Sequence, residues 1–191
     1  MTVAFCLAVL AGAIAEAEPP RARSLLEEAL VLRESLAIWL TAEVTATTLV
    51  AARMGDWPLT LRLADRPVRH LQWSGQRPYL TGILNVVARA LAETDVEAAT
   101  RLQGAARHLA PHPTAGQTTI PGRTNPASPA VSPPGSSLIT DLRRQTSALL
   151  HDALDEEQLR HLPAEGEAMD SDQAATYALE AIRRAQTQTR P

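Results

Sequence analysis

The stretch GDWPLTLRLA at 55–64 aligns with TDVEAATRLQ at 94–103, placing Asp56 on Asp95, Arg62 on Arg101 and Leu63 on Leu102 at an offset of 39. An earlier copy is set back by 38, with Glu18 on Asp56 and Leu25 on Leu63. Three copies at nearly constant spacing point to a helix-turn-helix repeat, a unit that cannot bury its apolar face alone and must stack on its neighbours. Within each copy, apolar residues recur three and four apart, the signature of one helical face. The first helix is expected to turn Val3, Cys6, Leu7, Leu10, Ala13, Ile14 and Ala17 to one side. Pro19 and Pro20 open a second, carrying Leu25, Leu26, Ala29, Leu32 and Leu36. A third covers 38–54 and is closed by Gly55. Asp56 caps a fourth with Pro58 in its first turn, and Pro67 is expected to kink or end it early. The fifth points Leu80, Ile83, Leu84, Val87, Ala90 and Leu91 inward. Thr94 with Glu97 reads as a capping box for the sixth, which carries Ala98, Leu102, Ala105, Ala106 and Leu109 and stops at Pro111.

Composition agrees with helices. Apolar residues make up 45% of the 191, but aromatics only 3%, so the core must be built from Leu, Val, Ile and Ala. A sandwich or barrel would show more β-branched and aromatic alternation. The fold class is therefore all-α: a solenoid of helical hairpins with a C-terminal helical cap. Three hairpins fill 1–109. Residues 110–137 are rich in Pro, Ser, Thr and Gly and cannot bury enough surface to offset their ordering entropy, the mark of a flexible linker. Capping helices follow over 138–187, with Leu138, Leu142, Leu149, Leu150 and Leu154 inward. Asp155 with Gln158, and Asp170 with Gln173, mark two helix starts. Ala174, Ala178, Leu179, Ile182 and Ala185 share a face of the last helix.

Chemistry is sparse. All 18 basic residues are Arg, so there is no lysine for a P-loop, Schiff base or pyridoxal anchor. The G-x-S-x-G, G-x-x-x-x-G-K-[ST] and G-x-G-x-x-G patterns are absent. At a net charge of −3, nothing resembles the basic stripe that a phosphate backbone needs. Cys6 is alone, which leaves no intramolecular disulfide and suggests a buried structural thiol. The apolar run TVAFCLAVLAGAIA lacks a basic residue before it, unlike a signal peptide, and is short for a membrane span; a cytoplasmic chain is expected. Trp39, Trp57 and Trp73 are expected to pack at successive helix junctions. No catalytic, cofactor-binding or metal-binding residue is assigned. One metal alternative uses His108, His112, His151 and His161. However, Pro111 and Pro113 interrupt the first pair's helix, and Glu157 and His161 sit one residue too far apart for a helical Glu-x-x-His pair.

The tail LPAEGEAMDSDQAATYAL admits a LuxR-type DNA-binding reading through Ala164-Glu165-Gly166. The helix that would then have to enter the major groove is missing after Glu180, where AIRRAQTQTRP remains. The chain instead resembles the C-terminal tetratricopeptide-like region of large bacterial signalling regulators, LuxR-type or nucleotide-cyclase-linked ATPases. The residues that carry the resemblance are Thr100, Arg101, Leu102, Gly104, Ala105 and Ala106, then Gly166, Met169, Asp170, Ala174, Ala178 and Leu179. It implies a non-catalytic regulatory module, the terminal fragment of such a regulator, that works through protein–protein contact. The family's nucleotide-binding and cyclase modules have no counterpart here. Val3, Phe5, Leu7, Val9, Leu10 and Ile14 cannot all face one neighbour, and a terminal solenoid helix needs a polar outer face. The first helix is therefore expected to contact another protein, a second copy of the chain, or a preceding segment. No direct nucleic-acid or membrane contact is expected.

Overall fold

The computed structural model describes residues 2–35, 41–110 and 136–188. Among them every regular element is helical: α1 (Val3–Ile14), α2 (Pro19–Ser35), α3 (Thr41–Arg53), α4 (Trp57–Ser74), α5 (Arg77–Leu91), α6 (Val96–Leu109), α7 (Ser136–Ala153), α8 (Glu156–Glu167) and α9 (Ser171–Gln188). Leu36, Trp39 and most of the expected linker lie outside the described residues. Sequence neighbours pack on one another, α1 on α2, α3 on α4 and α5 on α6, and α1 also meets α3. The last helices return to the body: α7 lies on α5 and α6, α8 on α6, and α9 on α4, α5 and α6.

The aligned stretches are locally equivalent. Asp56 Oδ1 accepts the Leu59 amide and Asp95 Oδ1 accepts the Ala98 amide, both at 3.1 Å, so each aspartate satisfies an orphan donor in a first turn. Leu63 and Leu102 are both buried behind those caps. Gly55 and Gly75 adopt φ of 70° and 66°, and the left-handed conformation ends a helix at little cost in glycine. At α8 the reciprocal capping box of Asp155 and Gln158 is complete. At α9 the Asp170 amide donates to Gln173 Oε1 at 2.9 Å, and Gln173 N donates to Asp170 Oδ1 at 2.8 Å.

Three expectations about elements change. Thr94 is not the cap of α6: Asp95 holds that position, the Thr94 hydroxyl faces the Leu91 carbonyl, and Glu97 pairs with Arg101 at 3.0 Å instead. Pro67 does not end α4, which runs through it to Ser74. The forgone amide bond is offset by a buried face of Leu63, Ala64, Pro67, Val68 and Leu71. The third change concerns α1, whose buried face is Ala4, Ala8, Ala11 and Ala15; Val3, Cys6 and Leu10 point outward.

The main core joins both halves of the chain. Val68 and Leu71 of α4, Leu84, Val87 and Leu91 of α5, Leu102 of α6, Leu150 of α7 and Ile182 of α9 belong to one buried cluster. Fully burying one such large side chain is worth roughly 1.5–3 kcal/mol. Five inward residues of α9 (Ala174, Ala178, Leu179, Ile182 and Ala185) are all buried there, as their spacing requires. Smaller clusters hold α1 to α3 through Ala11, Val50 and Ala51, and α7 to α3 and α5 through Leu142, Ala52 and Val86.

Candidate interaction surface

Helix α1 has two apolar stripes at helical spacing, and among the described residues the alanine stripe is the buried one. The alanine stripe lets the backbone come close to its neighbour: a Cβ placed on Gly12 would stand 3.1 Å from Val50 Cγ2 of α3. Packing the small residues inward leaves Phe5, Leu7 and Ile14 half-buried and Val3, Val9 and Leu10 outside. Val3 is 68% exposed, Val9 51% and Leu10 44%. Cys6 lies among them and is exposed, against the expectation of a buried thiol. No charged residue occurs on α1; the first after it, Glu16, is drawn to Arg53 at 2.9 Å. An uncharged aliphatic face in water is unfavourable by the same transfer energy that builds a core.

Helices α6 and α8 approach each other closely, with a glycine on each side. A Cβ on Gly104 would lie 2.9 Å from Pro163 Cα, and one on Gly166 would collide with the Arg101 carbonyl oxygen and stand 2.9 Å from Ala105 N. Gly166 is therefore a packing residue in the last turn of α8. Beside it Arg101 Nε donates to Glu165 Oε2, and Arg101 Nη1 to Glu97. Burial works against the charged Arg101, but hydrogen bonds to Glu165 and Glu97 outweigh it and its pKa is raised. The Arg101 hydrogen bond holds the Glu165 carboxyl below its ordinary value, helped by Coulombic attraction to Arg101 and His161.

Among the described residues the candidate histidines do not form a metal-binding group. His108 and His151 are exposed, and His161 Nδ1 faces Glu165 Oε1 at 3.1 Å, a contact within one helix. His112 lies outside the described residues. Among the described residues no group of three or more His, Cys, Asp or Glu side chains could hold a metal ion. No helix there is long and apolar enough to cross a membrane.

The tryptophans divide. Trp57 packs against the core, with the Arg89 guanidinium 4.2 Å above its ring. Trp73 does not pack as expected: it is 85% exposed at the end of α4, with His70 at 6.1 Å between ring centroids.

No family model matches the chain, and no curated protein or solved structure does either.

Proposed function

We propose that the chain is a non-catalytic helical-repeat module that acts by binding another protein or a second copy of itself through the outward face of α1. The observation that carries this reading is the exposure of Val3, Val9 and Leu10 on a helix with no charge. The order of packing, hairpin on hairpin from α1 to α6, supports a tetratricopeptide-like arrangement, and the local identity of the Asp56 and Asp95 caps supports a repeat. A regulatory role, as the terminal part of a large bacterial signalling regulator, rests on the sequence resemblance alone.

Sedimentation of the full chain over a range of concentrations tests the reading. Assembly that Val9→Glu and Leu10→Glu abolish, with helicity unchanged, is the expected result. These side chains face solvent within the chain, so the substitutions leave its own core intact. A folded monomer at every concentration counts against the proposal, as does assembly indifferent to both substitutions.

A further inference from the structure

A cleft of about 560 Å³ opens between the start of α4 and the end of α9. Its wall includes Leu61, Pro58 and Ala185, and Arg62 and Arg183 supply its charge; no Asp or Glu lines it. Gln186 Nε2 donates to the Leu61 carbonyl at 3.3 Å, tying the end of α9 to α4 beside the cleft. Both arginines are exposed and, among the described residues, neither side chain has an ion pair, which is also true of Arg77 and Arg143. A neighbouring cleft shares Pro58 and Arg62 but is lined by two acids, Glu27 and Asp56, the latter paired with Arg23 at 3.0 Å. Arg62 and Arg183 are the charged side chains that line the α4–α9 cleft, and its lining has no acid to offset them.

The repeat shows what such an arginine binds. Arg62 aligns with Arg101, which holds one carboxylate from its own helix, Glu97, and one from a helix laid across it, Glu165. The residue aligned with Glu97 is Pro58, so Arg62 has lost the first partner by sequence. The helix across α4 is α9, and at this end it brings Arg183 instead of a glutamate. Two guanidinium groups over an apolar wall suit carboxylates carried on a chain that also presents aliphatic side chains.

We infer that the Arg62–Arg183 cleft receives an acidic peptide segment of a partner protein, its carboxylates taking the place that Glu97 and Glu165 take at Arg101. The cleft is separate from the α1 face, and this inference stands whether or not α1 binds anything.

The probe is a fluorescein-labelled synthetic peptide copying 155–168, which contains the Glu165 register, titrated into the full chain and followed by anisotropy. Saturable binding is expected. Arg62→Gln with Arg183→Gln should weaken it about tenfold or more, the loss of one charge-assisted contact or more. Arg143→Gln, an exposed arginine away from the cleft, should leave it unchanged. A peptide with all its glutamates and its aspartate replaced by the amides should not bind. Equal affinity for the double variant overturns the inference, because the peptide would then be sitting elsewhere, for instance in place of α8. No binding up to about 1 mM overturns it as well. So does complete displacement by an equal concentration of inorganic phosphate, which would make the cleft a small-anion site.

Discussion

Arg101 and Glu165 couple the docking of α8 to pH. Glu165 titrates below the ordinary carboxylate value of about 4.3 when folded. A group whose folded pKa is depressed contributes stability that is full above its unfolded pKa and is lost as pH falls through the folded one. Arg101 stays charged throughout. In Glu165→Gln, urea midpoints are therefore expected to be lower than wild type at pH 7 and to converge with it in acid. Midpoints that fall in parallel would show that this pair does not set the acid limb. The pairing was hidden in the sequence, where 64 residues separate the partners and nothing local links them. Arg62 was visible as the residue aligned with Arg101, but its lack of an ion pair among the described residues was not, since pairing is a property of the packed state.

Among elements, α6 and α8 depend on the absence of two side chains. Gly166→Ala would force a methyl against the Arg101 carbonyl and should destabilise by about 1–3 kcal/mol, the usual cost of overpacking. Gly82 lies within α5 with nothing within 4 Å of its virtual Cβ, so Gly82→Ala should stabilise by about 0.5–1 kcal/mol. Chemical denaturation of both variants checks the contrast; a Gly166→Ala protein as stable as the parent would mean the α6–α8 approach is looser than described. Sequence reasoning located the α8 and α9 starts because a reciprocal cap is a local device. It chose Thr94 over Asp95 because two good capping residues stand side by side and the pattern favoured the one with a glutamate three residues on. It picked the wrong face of α1 because 3, 6, 10, 13 and 4, 8, 11, 15 both satisfy the helical period. Periodicity cannot choose between two apolar stripes; the close approach to Val50 can.

For the whole molecule, the all-helical class followed from the scarcity of aromatic and alternating residues, and alanine at the contacts lets the helices lie close. The return of α9 onto α4 was not legible, because docking after a gap of about a hundred residues depends on matching faces that no short window contains. The arrangement leaves the small side of α1 buried and its aliphatic side outside, and the proposed function rests on that asymmetry. Cys6 is the chain's only cysteine and lies on the outward side, so its reactivity reports on that face directly. The decisive measurement is the rate of maleimide modification of Cys6 in the folded chain, followed against protein concentration and in Leu10→Glu. If another polypeptide covers α1, modification slows as assembly proceeds and stays fast in Leu10→Glu. A folded wild-type chain whose Cys6 reacts at every concentration as fast as in the urea-denatured protein would contradict the account.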